Sequence, residues 1–208
     1  MSRTSRVAGI VLAAGEGRRM GRTKQLLPFR GQTILECVLD SALASSLQRV
    51  IVVLGHQTDA LESLLKGRAV TLVFNPHYGS GQSSSLKAGL RAVTEESEAV
   101  LFLLGDQPLV TPETINRILS AYESSPASPI VLPVFEGQRG NPVLFSRETF
   151  PRLETLNEDC GARPLFEEYA GHILPVAVAD PSIHFDIDTE EDYRCLLELE
   201  CQCAPDLK

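Results

Sequence analysis

The chain has no tryptophan, two methionines and only 6% aromatic residues, so its core has to be assembled from branched aliphatics. No apolar stretch approaches the ~20 residues that a membrane-spanning helix needs, and the N-terminus lacks the apolar centre of a signal peptide. These absences lead to the expectation of a cytoplasmic protein without a membrane partner. Positive charge is also scarce. Nineteen Lys and Arg face 27 Asp and Glu, a net charge of −8. Nucleic acids are held by clustered cations, so that balance argues against them as the main partner. The five cysteines (Cys37, Cys160, Cys195, Cys201, Cys203) are odd in number and without the paired spacing of a zinc site, and they read as reduced thiols. No linker, internal repeat or low-complexity segment interrupts the 208 residues, which suit one α/β domain.

What is present is an alternation of apolar runs. Val7–Leu12, Arg49–Leu54, Ala69–Phe74 and Ala99–Leu104 read as buried parallel strands. Between them, Thr33 to Ser46 carries Ile34, Leu35, Val38, Leu39, Ala42 and Leu43 at helical spacing. Further helices are expected after Thr58, after Ser83 or Ser84, and at Thr111-Pro112-Glu113, where a cap, an N1 proline and an acid coincide. The pattern predicts a doubly wound, mostly parallel, Rossmann-like sheet flanked by helices. Beyond Tyr122 it changes. Ile130–Phe135 and Pro142–Phe145 read as short strands around a Gly137-to-Gly140 turn, and Phe150 to Tyr169 as an interrupted helix. Ile173–Val178 and Ile183–Ile187 return as strands before a final helix capped by Thr189. The expected organisation is one domain, with a nucleotide-binding half over 1–125 and an acceptor-binding half over 126–200.

The cations gather in Gly9 to Lys24, GIVLAAGEGRRMGRTK, where a strand runs into a small-residue turn. Gly15 and Gly17 let the backbone adopt positive φ and close its N–H groups on an anion, and Arg18, Arg19 and Lys24 add mobile charge. A triphosphate needs both. Two common phosphate loops do not fit. Met20 stands where the dinucleotide fingerprint has its third glycine, and Gly21-Arg22-Thr23-Lys24 replaces the Gly-Lys-Ser/Thr ending of a P-loop.

Three more polar stretches follow predicted strands, where open α/β sheets collect ligands. Asn75-Pro76-His77-Tyr78-Gly79-Ser80-Gly81-Gln82-Ser83-Ser84-Ser85 interleaves glycines with hydroxyls and suits either a base- or ribose-wrapping loop or an unliganded surface loop. Asp106, at the tip of the most apolar strand, needs a cation or hydrogen-bond donors there; a magnesium ion or an Asx turn would satisfy it. Asp186 and Asp188 alternate, so both would face one side of a strand, although Asp188 also reads as an acid at a helix start.

The opening resembles the MobA-like nucleotidyltransferases, matching their L-A-(A/G)-G-x-(G/S)-x-R-M-G-x-x-K pattern at Leu12, Ala13, Ala14, Gly15, Gly17, Arg19, Met20, Gly21 and Lys24. Gly105-Asp106-Gln107-Pro108 looks like the family's metal-binding aspartate motif, and Asp188 like its second metal aspartate, with Glu190 in place of the usual proline. Arg139-Gly140-Asn141-Pro142-Val143 and Asp159-Cys160-Gly161-Ala162-Arg163 resemble segments of the molybdenum cofactor branch, Glu158 standing where a glycine is usual. The resemblance implies transfer of CMP from CTP to the terminal phosphate of molybdopterin, with Mg2+ as cofactor. It also implies a molybdoenzyme or its chaperone as a recipient. Arg19, Lys24 and Asp106 would be catalytic, and Asp106 and Asp188 would hold the metal. Leu12, Ala13, Ala14, Gly15, Gly17, Lys24, Asn75, Ser83, Ser84 and Ser85 would contact the nucleotide. Arg139, Asn141 and Arg163 would contact the acceptor. GTP, another phosphate acceptor, a nicotinamide-linked oxidoreductase and a non-catalytic carrier are the competing readings.

Overall fold

Val7, Ala8, Ile10 and Val11 lose essentially all their exposure because both faces of the first strand are covered, as a parallel sheet requires. The computed structural model describes residues 6–17, 19–156 and 161–203. In chain order it gives β1 (Val7–Ala13), a small hairpin of β2 (Pro28–Phe29) and β3 (Gln32–Thr33), α1 (Ile34–Ala44), β4 (Arg49–Leu54), α2 (Thr58–Leu65) and β5 (Thr71–Phe74). There follow α3 (Gln82–Arg91), β6 (Ala99–Leu104), α4 (Pro112–Ser124), β7 (Ile130–Phe135), β8 (Gln138–Arg139) and β9 (Val143–Ser146). The C-terminal third adds α5 (Phe150–Thr155), α6 (Arg163–Glu168), β10 (Ile173–Ala177) and α7 (Glu190–Cys203).

The main sheet runs β10-β7-β9-β6-β1-β4-β5, with β8 paired to β7. β1 is parallel to β4 and β6, β4 to β5, and β7 to β10. β9 opposes both its neighbours, β6 and β7. The sheet is thus mixed and mostly parallel. Running backwards, β9 begins at the edge where the parallel strands end, so its preceding residues reach the same side as the tips of β1 and β6. One face packs against α1, α2 and α4 through Leu39, Leu61 and Ile118; the other packs against α3, α5 and α6 through Leu86, Leu153 and Leu165. A third cluster joins Met20, Leu27, Phe29 and Ile34 to Ile187 and Leu196, pinning the last helix onto the loop after β1.

Several predicted boundaries move. Ile183–Ile187 is not a strand: a 3-10 turn covers Pro181–His184 and the chain then runs extended without a ladder. Alternating apolar and acidic residues read as a strand, but Ile183 and Ile187 are buried without a ladder, Ile187 in the third apolar cluster with Ile34 of α1 and Leu196 of α7. Neither Ser83 nor Ser84 caps α3; Gly81 does, at φ 100°, and both serines lie in the first turn. Thr58 opens α2 after Gln57, which takes the cap position at φ 50°. β5 starts at Thr71, later than Ala69. The interrupted helix resolves into α5 and α6, with Asp159 and Cys160 between them lying outside the described residues, as does Arg18. No helix among the described residues is long and apolar enough to cross a membrane.

Thr33 begins α1 with a complete capping box: its side chain accepts from Glu36 N–H while Glu36 accepts from Thr33 N–H at 2.9 Å. Burial raises the Glu36 carboxyl, but the Thr33 bonds and Arg68 outweigh it and leave the group below its ordinary value of 4.5. A lowered folded value means stability that is full above pH 4.5 and lost as pH falls through the folded value. Thr33→Ala should therefore cost about 1 kcal/mol in urea unfolding at neutral pH. Glu36→Gln should also destabilise at neutral pH, and its difference from wild type should shrink in acid.

Candidate active site

The loop after β1 turns at Gly17, whose carbonyl accepts from the N–H groups of Met20 and Gly21, each at 3.0 Å. Gly17 sits at φ 61°, and a Cβ there would collide with the Arg22 carbonyl, so the turn requires glycine. Gly15 does not adopt positive φ, contrary to the sequence expectation; a Cβ there would meet no atom within 4 Å, because the residue borders open space. The turn drives Met20 into the third apolar cluster and leaves Arg19 exposed, directed at the C-terminal segment.

Lys24 ends this loop buried, its side chain 11% exposed. Its ammonium is paired with Asp106 and, at 2.7 Å, with Asp188. Arg19 reaches the other oxygen of Asp188 at 2.8 Å. Burial alone would pull the Lys24 ammonium down; Asp106 and then Asp188 more than offset this and hold it above its ordinary value. The two aspartates come from the tip of β6 and the start of α7, more than eighty residues apart in sequence, and share one lysine. Asp186 stands beside them with its carboxyl pushed up to about 6, chiefly by burial and next by Asp106.

Glu190, which replaces the family's proline, has its own task. It takes Arg22 in a two-bond pair at 2.8 and 2.6 Å, while Tyr193 donates to the Pro28 carbonyl at 2.7 Å. Thr189 caps α7 as expected, accepting from Asp192 N–H at 3.2 Å; Asp192 in turn accepts from the N–H groups of Asp188 and Thr189. These bonds fix Asp188 relative to the first loop.

Two clefts meet at the aspartates. The larger, about 700 Å3, is bounded by Leu12, Ala14, Gly15, Gly17, Arg19 and Lys24 on one side and by Tyr78 to Gln82 and Ser85 on the other. The smaller, about 380 Å3, gathers Arg139, Asn141 and Arg163 over a floor of Phe102, Phe145 and Phe166. Leu12, Gln82, Leu104, Asp106 and Asp188 border both. No histidine lines either cleft among the described residues.

The structure therefore brings together most of the sequence-derived residues. Ala13 is fully buried in the core and, in keeping with an expected backbone contact, can offer only its backbone. Other residues need correction. Asn75, 3% exposed, uses its amide to donate to Ser84 at 2.9 Å and Ser85 at 3.0 Å, and its carbonyl oxygen accepts from His77 N–H. It shapes the loop from behind the large cleft. Ser83 is 2% exposed and lines neither cleft, and Ser84 caps back onto the carbonyls of Gly81 and His77. Of the three serines only Ser85 reaches the large cleft. A serine run at a helix start cannot reveal which hydroxyl turns inward until the cap is fixed. Tyr78 and Gln82 carry no functional signal in the sequence, yet both border the large cleft. Gly55 permits Tyr78 to pack there, since a Cβ would fall 2.6 Å from the tyrosine Cβ.

Such a sheet, with its ligand clefts at the strand tips, defines the class: the fold is that of the nucleotidyltransferases, as in a nucleotidyl transferase from Methanothermobacter thermautotroptrophicus (TM-score 0.81, 25% identity, covering 95% of this chain and 99% of that one). Residues 9–173 match the MobA-like NTP transferase domain, and the chain belongs to that family. It is similar to the nicotine blue oxidoreductase of Paenarthrobacter nicotinovorans, 33% identical over 202 residues (91% of this chain, 96% of that protein). It is also similar to the molybdenum cofactor cytidylyltransferase of Escherichia coli K12, 29% identical over 185 residues (88% and 92%). A structure of Rv0371c from Mycobacterium tuberculosis in complex with manganese superimposes with a TM-score of 0.79 at 33% identity, covering 92% of this chain and 98% of that one.

Removing the shared cation should expose the strain it relieves. Lys24→Met leaves Asp106 and Asp188 facing each other without it; because Asp188 is partly open to solvent, the loss in urea unfolding should be about 1 kcal/mol, well short of a fully buried pair.

Proposed function

We propose that the protein transfers CMP from CTP to the terminal phosphate of molybdopterin, releasing pyrophosphate. The observation that carries this reading is the meeting of a glycine-lined cleft and an arginine-bearing, aromatic-floored cleft at Asp106, Asp188 and Lys24. One cleft suits a nucleoside triphosphate, the other a flat ring system carrying a phosphate. In this reading residues 1–125 serve the nucleotide and 126–200 the acceptor.

An acceptor phosphate oxygen attacks the α-phosphorus of CTP. That P–O bond forms as the bond to the β-phosphate bridging oxygen breaks, and the electron pair leaves with pyrophosphate. A phosphate is ionised near neutral pH, so no protein base is required. Lys24 and Arg19 neutralise the triphosphate and the departing pyrophosphate, and backbone N–H groups between Ala13 and Gly17 orient it. Arg139, Arg163 and Asn141 align the acceptor phosphate over the phenylalanine floor. The preference for cytosine rests on Ala13-Ala14-Gly15, as in the cytidylyl-transferring branch. A molybdoenzyme or its chaperone would receive the product.

The donor set fits magnesium. Asp106 and Asp188 are hard oxygen ligands already close enough to share one ammonium. Among the described residues no group of three or more His, Cys, Asp or Glu is set for a metal, so phosphate oxygens and water would complete the shell. When bound, the ion supplies charge neutralisation between the reacting phosphates. The manganese complex of the mycobacterial relative supports a divalent ion in this fold.

The similarity to nicotine blue oxidoreductase favours a second reading, nicotinamide-linked redox chemistry on the same scaffold. Against it, among the described residues β1 is followed by a 3-10 turn over Lys24–Leu26 and not by an α-helix whose N-terminus could receive a dinucleotide pyrophosphate.

The test is pyrophosphate release with Mg2+ and molybdenum cofactor, comparing CTP with GTP, UTP and ATP. Release with CTP alone is expected. Asp106→Ala should lower kcat at least a hundredfold. Lys24→Ala should reduce kcat more than it raises KM for CTP, since its charge acts on the developing leaving group. Consumption of NAD(P)H without pyrophosphate release would establish the second reading instead.

A further inference from the structure

Gln107 is 2% exposed and directly follows Asp106. Its Nε2 donates to Asp186 Oδ1 and to the Ile183 carbonyl, the latter at 3.4 Å. One residue back, the Asp106 carbonyl accepts from Ile187 N–H at 3.1 Å. The Ile183 carbonyl accepts a second bond, from Asn141 N–H at 3.0 Å. Gly140 packs so closely there that a Cβ would lie 2.6 Å from the same carbonyl oxygen. Three pieces of chain thus converge on one carboxamide: the β6 tip with Asp106, the segment leading to Asp188, and the loop with Arg139 and Asn141.

That segment has no strand partner, so its path rests on the burial of Ile183 and Ile187, on these bonds at its β6 side, and on the Arg19, Lys24 and Asp192 contacts of Asp188 at its end. We propose that Gln107 is a positioning residue for the transfer: it sets the spacing of Asp106 and Asp188 and ties that spacing to the acceptor wall. A carboxamide suits the place because it can donate to the Asp186 carboxylate. A carboxylate would repel Asp186, and an aliphatic side chain would leave it and the Ile183 carbonyl with one donor fewer. Gln107 borders neither cleft, so it touches no substrate and acts through Asp106, Asp186 and Ile183. The functional consequence rests on the nucleotidyl-transfer reading; the clamp itself does not.

The experiment compares full-length wild type with Gln107→Glu, Gln107→Leu, and Gln107→Glu combined with Asp186→Asn, in which carboxylate and carboxamide trade places. Amide hydrogen exchange reads the clamp at Ile187 and Asn141, with Val11 in β1 as an internal reference. Mn2+ binding in the presence of CTP, followed by electron paramagnetic resonance, reads the aspartate pair, and steady-state kinetics read kcat and KM for CTP. In both single variants, exchange at Ile187 and Asn141 should quicken at least tenfold while Val11 is unchanged. Mn2+ affinity and kcat should fall at least tenfold with KM for CTP within twofold. The exchanged pair should recover slow exchange at Ile187 and at least a threefold gain in kcat over Gln107→Glu, while Asn141 stays faster than wild type because a carboxylate at position 107 cannot donate to the Ile183 carbonyl. Unchanged exchange in the single variants would overturn the clamp. Faster exchange with wild-type Mn2+ affinity and kcat would overturn the positioning role, leaving a structural one. Should wild type neither turn over CTP nor bind Mn2+, the transfer reading fails, and the exchange comparison still decides whether the clamp exists.

Discussion

The ammonium of Lys24, buried between carboxylates from distant parts of the chain, is the interaction on which the site depends. One aspartate ends the most apolar strand of the sheet and the other begins the last helix. Without a cation between them their mutual repulsion would oppose the packing of the C-terminal segment. Lys24 can be there only because the loop after β1 turns back at Gly17 and is anchored through Met20, Leu27 and Phe29 onto the cluster that also holds Ile187 and Leu196. Core packing and site electrostatics are thus one arrangement: the apolar side chains bring the ends of the chain together, and the lysine makes the resulting concentration of negative charge tolerable.

The sheet accounts for the two-sided character of the site. Parallel strands deliver their carboxyl ends to one edge, which supplies the first loop, the serine-bearing loop and Asp106. The reversed strand β9 delivers its beginning to that same edge, and so Arg139 and Asn141 arrive beside the cleft that the first loop borders. A wholly parallel sheet would have sent the residues before such a strand to the far edge. The reversal at β9 thus leaves two adjoining clefts at this edge, which share Gln82, Asp106 and Asp188.

The central strands and most helices could be read from the sequence because each carries its own signal: a branched apolar run, or a helical stripe behind a cap. Lys24, Asp106, Asp188, Arg139 and Arg163, singled out by residue type and place in the chain, all border one or both clefts. What could not be read depends on partners remote in sequence. The alternation at Ile183–Asp188 looks like a strand, yet those isoleucines are buried without strand partners, and nothing local distinguishes the cases. Three adjacent serines look equivalent until Gly81 is known to cap the helix. Asn75 looked like a ligand contact, but its amide is occupied by Ser84 and Ser85. Gln107 is visible in sequence only as a member of Gly105-Asp106-Gln107-Pro108; what its carboxamide does is hidden until Asp186 and Ile183 are folded over it.

The central claim, that an acceptor phosphate in one cleft attacks the α-phosphorus of a nucleotide in the other, is tested most directly by following isotope. CTP labelled with 32P at the α-position, and separately at the γ-position, would be incubated with Mg2+ and molybdenum cofactor. The account predicts that α-label passes into the cofactor product while γ-label appears only in pyrophosphate. Transfer of γ-label to the acceptor, or retention of both labels in intact CTP by folded protein, would contradict it.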